Sequence, residues 1–376
     1  AWGEGHQVEQ TIVGIDIGTT KICTLVGQVD DPEEGALRIV GVGVVPARGM
    51  HKGVVVDIEE ATGAIGESIQ RAERAGYPIS EAYVAVGGAH IASQNSSGVA
   101  AIGRGDRPVD RDDIDRALEA ARAIPIAHNR RIIHVVPREY CIDGQHGIRN
   151  PLGFMGFRLE VEAHVVTGSV SSTQNLVQCV EKNGVDVIDL VVQPLASAEA
   201  VLNGDEKDMG VAVVDMGGGT IDVAIYLEGS VWETLVVPVG GDHISNDIAL
   251  GLRTPFPIAE ELKVRYAHAL PGAVDEGEII EYRGFGSEGV STVPRRRLCE
   301  IVSARVSEML DKVYEEIRRS GVESLLAAGV VLILDEDGGE TQAHALYYPP
   351  TNAAFRGPDD ERPPLVLFTG LVQGRI

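Results

Sequence analysis

One short pattern stands in both halves of this sequence, and it restricts the fold more than any other feature. Val13-Gly-Ile-Asp16-Ile-Gly18-Thr19-Thr20-Lys21 is echoed by Val213-Val-Asp215-Met-Gly217-Gly218-Gly219-Thr220-Ile221-Asp222. Each copy is an apolar run ending in Asp, a Gly/Thr turn, and a second apolar run, the pattern of a β-hairpin. Two such units predict two similar α/β halves facing each other across a cleft.

The residue types point to a nucleoside triphosphate. Glycine turns let backbone N–H groups aim at phosphate oxygens with no Cβ in the way. Thr19, Thr20 and Thr220 add hydroxyl donors, and Lys21 adds a point charge for the β- and γ-phosphates. Carboxylates beside a polyphosphate would be repelled, so Asp16 and Asp215 imply a divalent cation between them, Mg²⁺ held through water. One Asp-Ile-Gly-Thr-Thr turn alone reads equally well as a plain hairpin; the matched pair is what favours the nucleotide. The chain has no GxxxxGK[ST] loop and no GxGxxG opening a helix after a strand.

Composition narrows the function classes. With 56 acidic against 32 basic residues in 376, the net charge is -24. Nucleic acid as a main partner and direct adhesion to an anionic bilayer both need a basic field, so both are disfavoured. Otherwise an acidic surface simply aids solubility. Cys23, Cys141, Cys179 and Cys299 lie far apart without a CxxC pair, as expected for reduced buried thiols. No HExxH and no close His/Cys pairing suggests a metal cage. No run reaches the roughly 18 apolar residues of a membrane helix. Residues 1–10 are polar, unlike a signal peptide, and the missing initial Met fits a fragment.

Between the two repeats the chain alternates strands and helices. Residues 11–29 read as strand, turn, strand, and residues 37–46 as a further strand. Asp57 opens a helix with Ile58, Ala61, Ile65, Ile69 and Ala72 at helical spacing, closed by Gly76. After a short strand at 83–86 comes a Gly/Ser/Asn-rich stretch. Asp110, with Asp113 three residues on, caps a helix through Ala123. Strands are expected at 131–136, 139–142 and 158–166, with a turn-rich loop at 143–156. Residues 172–183 read as a helix closed by Gly184, and 185–192 as a buried parallel strand. The second repeat occupies 211–227. Residues 242–265 are helical with a break at Pro255 and Pro257, and 277–293 are strand-rich. Residues 295–319 form the longest helix, with one apolar stripe including Leu298, Val302, Met309, Val313 and Ile317. Residues 328–334 read as a buried strand. Beyond it the acidic run at 335–340 and a proline-rich stretch keep no helical period, so 335–376 are expected to be poorly ordered.

These loops resemble those of the actin, heat-shock-chaperone and sugar-kinase superfamily, and within it the chain resembles the FtsA family of bacterial actin-like cell-division proteins. The resemblance runs from about Thr11 to Gly329. It is carried by Gly14-Ile-Asp-Ile-Gly-Thr-Thr-Lys21, residues 53–58, Tyr83-Val-Ala-Val-Gly-Gly88, and Tyr140-Cys-Ile-Asp-Gly-Gln-His-Gly-Ile-Arg-Asn-Pro151 with Arg158-Leu-Glu-Val-Glu-Ala-His164. Gln193-Pro-Leu-Ala-Ser-Ala-Glu-Ala-Val-Leu202, residues 215–222 and Val239-Gly-Gly-Asp-His-Ile-Ser-Asn-Asp-Ile-Ala249 complete it.

The resemblance implies an actin-like (ribonuclease H-like) α/β fold, with duplicated halves around a nucleotide cleft and an inserted small α+β subdomain. Residues 10–82 and 167–204 form the first actin-like subdomain, and 83–166 the insert, serving polymer contacts and later division proteins. Residues 205–239 and 306–334 form the second, apparently incomplete; 240–305 dock the FtsZ tail; 335–376 are a divergent tail. The implied cofactors are ATP and Mg²⁺. Residues 16–21 and 215–220 are the phosphate loops, with Asp16 and Asp215 toward the metal, and Gln193 is the group that orients the attacking water. Gly240, Gly241 and Asp242 begin the second subdomain of the other half. Glu260 and Lys263 resemble the pair that reaches the adenosine, or are an ordinary exposed i,i+3 charge pair.

The expected function is an ATP-binding protein that polymerises and links the FtsZ ring to the cytoplasmic membrane at midcell, with hydrolysis at most slow. A sugar or acid kinase, or a heat-shock-type chaperone ATPase, is the alternative on the same loops. Two departures stand out. The family has a glycine-rich adenosine loop after the position of Val331, where this chain turns acidic; Gly338-Gly339 is either a displaced remnant or unrelated. The family also ends in a basic amphipathic helix, and residues 365–376 lack that pattern, so membrane contact is expected to be indirect. An altered reading frame or a divergent terminus after Gly329 would account for both, and would leave one wall of the nucleotide pocket incomplete.

Overall fold

The computed structural model describes residues 11–31, 36–103, 107–285, 290–334 and 342–344. The remainder of the acidic and proline-rich tail, Gly338-Gly339 included, lies outside the described residues. The chain divides into two compact units after Ala196.

The first unit opens with β1 (Thr11–Ile17), β2 (Lys21–Asp31) and β3 (Ala36–Pro46), then a small ribbon of β4 (Met50–His51) and β5 (Val54–Val55). Helix α1 (Ile58–Glu73) starts where Asp57 accepts from the N–H groups of Glu59 and Glu60, the cap read from the sequence. Its buried face, including Ala61, Ile65, Ile69 and Ala72, lies against β3. That approach requires glycine: a Cβ on Gly43 would stand 1.9 Å from the Ser68 carbonyl oxygen. Ser68 Oγ donates to Gly43 O at 2.7 Å and is bonded to Thr24 Oγ1 at 2.8 Å, which satisfies buried hydroxyls inside this contact.

β6 (Glu81–Val86) runs parallel to β1, and the chain then leaves for the insert. β7 (Ala92–Ala101), α2 (Arg111–Arg122), β8 (Arg130–Ile142), β9 (Gln145–Ile148) and β10 (Arg158–Ser169) make a four-stranded antiparallel sheet, ordered β7-β10-β8-β9, with α2 packed on it. One stretch left unassigned by the sequence is a strand, and one reading needs correction. The Gly/Ser/Asn-rich stretch is strand β7: Ala92–Ala101 pairs antiparallel with β10 along its length, with Asn95, Ser97 and Val99 exposed on one face and Gly98 and Ala100 buried on the other. The two expected strands at 131–136 and 139–142 are one, since Pro137 is absorbed by a bulge where Glu162 pairs Glu139 and Ala163 pairs Pro137. The Asp110–Asp113 capping box is present, and Asp113 is further bonded by Arg107 and Arg116.

The chain returns through α3 (Val170–Glu181), β11 (Asp186–Val192) and the start of α4 (Gln193–Val201), completing a sheet of order β11-β6-β1-β2-β3. One face is packed by Val13, Ile15, Ile17 and Val84; on the other, Leu25, Val42 and Tyr83 are exposed.

The second unit contains α5 (Gly204–Met209), β12 (Val211–Met216), β13 (Ile221–Leu227), β14 (Ser230–Val237), α6 (Gly241–Leu252), α7 (Phe256–Tyr266), β15 (Ile279–Tyr282), β16 (Ser291–Pro294), α8 (Arg295–Arg319), β17 (Gly329–Leu334) and β18 (Gln342–His344). Its main sheet has the order β14-β13-β12-β17-β18. The first four repeat β3-β2-β1-β6 in order and sense, with a parallel pair at β12 and β17. The fifth position differs, β11 being parallel to its neighbour and β18 antiparallel. Arg253 in the left-handed region and Pro255 separate α6 from α7, at the expected break. The stripe of α8 serves two cores: Leu298 and Val302 pack among α6, α7 and β15, whereas Met309, Val313 and Ile317 pack on the main sheet.

Candidate functional site

The two aspartate turns have the same construction, residue for residue. In the first, Ile17 pairs Ile22 and Asp16 pairs Cys23, and Gly18 N–H donates to Lys21 O at 3.0 Å. In the second, Met216 pairs Ile221 and Asp215 pairs Asp222, and Gly217 N–H donates to Thr220 O at 3.0 Å. A Cβ on Gly18 would lie 3.0 Å from the Lys21 carbonyl oxygen, which explains glycine at the closing position. Each turn thus presents an aspartate at the end of one strand and a tight hydroxyl- or glycine-bearing loop beside it.

In the first unit, Gln193 donates from Nε2 to Asp16 Oδ1 at 2.6 Å. The water-orienting candidate is therefore held on the first turn's carboxylate. Thr19 Oγ1 accepts from Gly53 N–H at 3.1 Å, leaving its own proton for another acceptor. Thr20 sits at the turn, where its carbonyl accepts from Ala47 N–H, and half-buried Lys21 opens β2.

In the second unit, Ser197 Oγ donates to Asp215 Oδ2 at 2.6 Å. Thr220 Oγ1 gives its proton to Asp222 Oδ2 at 2.9 Å, so it braces the turn from inside. Gly240 and Gly241 dock directly on this loop. Gly241 N–H donates to Gly217 O at 3.0 Å and Asp242 N–H to Gly218 O at 2.8 Å. A Cβ on Gly240 would stand 2.5 Å from both the Gly217 and Gly218 carbonyl oxygens. Glu260 and Lys263 form a half-buried ion pair at 2.7 Å on α7. Ser245 donates to Glu260, and Lys263 Nζ donates to Gly241 O at 3.5 Å. The structure thus collects loop two, residues 240–241 and the Glu260/Lys263 pair in one place.

Several site-supporting residues escape sequence reading. Ser197 follows Gln193 by four positions, the spacing that puts two side chains on one helix face, and that signal was available. His243, whose Nδ1 accepts from Gly240 N–H at 3.2 Å, carries no sequence signal of its role. Nor do Gly53 and Gly87. Among the described residues no group of three His, Cys, Asp or Glu is placed to hold a metal by itself. Nor, among them, is any helix long and apolar enough to cross a membrane.

Residues 88–167 match the family model of the SHS2 domain inserted in FTSA, and residues 212–354 match that of cell division protein FtsA. The second match continues past Gly329, where the motif resemblance stops. The chain is 46% identical over 327 residues to the cell division protein FtsA of Pseudomonas aeruginosa, covering 87% of this chain and 78% of that one. It is 38% identical over 314 residues to the FtsA of Bacillus subtilis, covering 83% and 71%. It is 38% identical over 343 residues to that of Escherichia coli K12, covering 89% and 80%. Among solved structures, a chain of the PilM-PilN type IV pilus biogenesis complex shares the fold with a TM-score of 0.60 at 13% identity, covering 86% of this chain and 82% of that one.

Proposed function

The chain belongs to the FtsA family of cell-division proteins, with an actin-like fold of duplicated α/β halves and an inserted small subdomain, and from that premise we propose that it binds Mg-ATP, forms filaments, and links the FtsZ ring to the cytoplasmic face of the membrane at midcell. The observation that carries the nucleotide part is the aspartate turn built twice, each aspartate gripped by a side-chain donor from α4.

The donor set suits a magnesium triphosphate. It comprises two carboxylates, two turns of closely spaced amides, the Thr19 and Thr20 hydroxyls, and the Lys21 ammonium. Bound Mg²⁺ would neutralise phosphate charge that these carboxylates otherwise repel. Asp16 and Asp215 would hold it through water. The amides of Gly218 and Gly219 would meet phosphate oxygens, while the Gly18 and Gly217 amides close their turns on Lys21 O and Thr220 O, with Thr220 keeping Asp222 in place. Gln193, fixed on Asp16, would orient a water, and hydrolysis would be slow. Gly240 and Gly241, with Glu260 and Lys263 behind them, would receive the adenosine: a carboxylate for ribose hydroxyls and an ammonium beside it.

The partner surfaces follow from exposure and charge. In the second unit Leu250, Ile279 and Phe285 are exposed, and Phe285, two residues after Arg283, donates its N–H to Arg253 O. Apolar anchors and arginines suit an acidic, apolar-tipped tail such as the FtsZ tail would offer. On the insert, Leu152, Phe154, Met155 and Phe157 are exposed together, which suits self-association or later division proteins.

Co-pelleting with FtsZ, run alongside Mg-ATP titration and phosphotransfer assays on sugars, tests this reading. Co-pelleting with FtsZ and saturable Mg-ATP binding are expected. Robust turnover of a sugar without FtsZ binding would overturn the proposal in favour of a kinase.

A further inference from the structure

We propose that Gly87, held in place by Gly53 and Gly88, is a positioning residue that sets the Gln193 amide against Asp16, and so ties the entry of the inserted subdomain to the first aspartate turn. The inference rests on Gln193 being the water-orienting group of the nucleotide site.

The geometry is a closed ring of contacts within the first unit. A Cβ on Gly87 would stand 1.8 Å from Gln193 Oε1 and 2.8 Å from its Cδ, so only glycine leaves the amide where it is. Gly87 is in turn located by backbone rather than by side chains. A Cβ on Gly53 would lie 2.7 Å from both Gly87 O and Gly88 Cα, and one on Gly88 would lie 2.5 Å from Lys52 O. Lys52, Gly53 and Gly88 all adopt left-handed backbone, at φ of 49°, 74° and 100°. Such a conformation costs a non-glycine residue energy, and it persists where the surroundings demand it. Gly53 N–H closes the ring on Thr19 Oγ1, three positions along the same turn from Asp16, where Gln193 closes it.

Backbone packed on backbone has no rotamers with which to absorb a displacement. A shift of Gly88, the first residue matching the inserted-domain model, therefore passes to Gly87 and to the Gln193 amide that rests on it. The insert and the aspartate turn are coupled mechanically through two peptide units.

The test uses the full chain labelled with ¹⁵N at glutamine, the Gln193 side-chain resonances being identified by their loss in Gln193→Ala. In Gly87→Ala the new Cβ meets only the mobile end of a side chain, so the fold should survive. The Gln193 signals should move toward those of a solvated amide. Gly53→Ala, which does not touch Gln193, should move the same signals; if it does not fold, Thr19→Val, which removes the acceptor of Gly53, serves instead. In Gly87→Ala, Mg-ATP affinity should stay within about threefold and single-turnover hydrolysis should fall about tenfold, and Gly87→Ala should add nothing to Gln193→Ala. Unmoved Gln193 signals in folded Gly87→Ala, or losses that multiply in the double variant, would overturn the proposal. A parent chain that binds no Mg-ATP would instead strike the nucleotide reading, while the resonances would still report whether Gly87 positions the amide.

Discussion

Gln193 Nε2 and Asp16 Oδ1 stand 2.6 Å apart, an amide-to-carboxylate bond that fixes the first residue of α4 on the end of β1. Ser197, one helical turn later in sequence, makes the equivalent bond to Asp215 Oδ2 at the same 2.6 Å. Each aspartate turn is thus held by a side chain of the one helix α4, an amide for Asp16 and a hydroxyl for Asp215.

That grip makes a graded prediction for nucleotide binding. Asp215→Ala removes a carboxylate assigned to Mg²⁺, and Mg-ATP affinity should fall at least about tenfold. Ser197→Ala removes one bond that orients it, worth about 1 kcal/mol, and should cost roughly fivefold. Isothermal titration with Mg-ATP orders the two; a Ser197→Ala loss equal to that of Asp215→Ala would contradict the assigned roles.

The Glu260/Lys263 pair separates adenosine recognition from phosphate recognition. Lys263→Met should weaken binding of ATP and of adenosine by a similar factor, about five- to tenfold. Inorganic triphosphate, which has no adenosine, should bind as it does to the parent. Competition titrations with the three ligands check this. Equal weakening for triphosphate would relocate Lys263 to the phosphates.

Sequence reading reached the aspartate turns because their chemistry is local: strand, carboxylate and glycine lie within nine residues of each other. It reached the capping box at Asp110 for the same reason. It left strand β7 unassigned, since Asn95 and Ser97 are exposed and the partner β10 lies far along the chain. Ladder pairing decided that segment, against its own propensity. The glycines at 53 and 87 were opaque because their task is close backbone approach, and the atoms they approach belong to distant residues. Glycine announces permission for such a contact and says nothing of the partner.

The insert should carry an acid-sensitive core. His164 is fully buried and donates from Nδ1 to Asn95 Oδ1 at 2.8 Å. Burial first, and the Arg138 charge second, push its pKa down to about 4 from the ordinary value near 6.5. The unfolded chain therefore binds the extra proton between those two values, so stability is full near neutrality and declines as pH falls from about 6.5 toward 4. The linkage amounts to about 2 kcal/mol between pH 7 and 5. His90, likewise pushed down to about 4 by burial and then Arg130, acts in the same direction. Urea unfolding at pH 7 and pH 5 measures the loss, and His164→Gln should make it smaller. An unchanged pH dependence in that variant would assign the loss elsewhere.

Two glycines facing α1 from opposite circumstances should respond oppositely to alanine. Gly63 lies within the helix, is exposed, and a Cβ there meets nothing within 4 Å. Gly63→Ala should stabilise the fold by about 0.5–1 kcal/mol, because alanine restricts the unfolded chain and favours helix. Gly43 lies on β3 beneath the same helix, where the added carbon would meet the Ser68 carbonyl oxygen at 1.9 Å and the Ala72 nitrogen at 2.8 Å. Both obstacles are helix backbone, which no side-chain rotation can clear. Accommodating the methyl means lifting α1 from β3, opening the contact in which Ser68 bonds Gly43 O and Thr24 Oγ1. Gly43→Ala should therefore cost about 2–3 kcal/mol. Denaturant midpoints of the two variants, read against the parent, should shift in opposite directions; a Gly43→Ala midpoint at or above the parent's would mean that α1 does not pack this closely on β3.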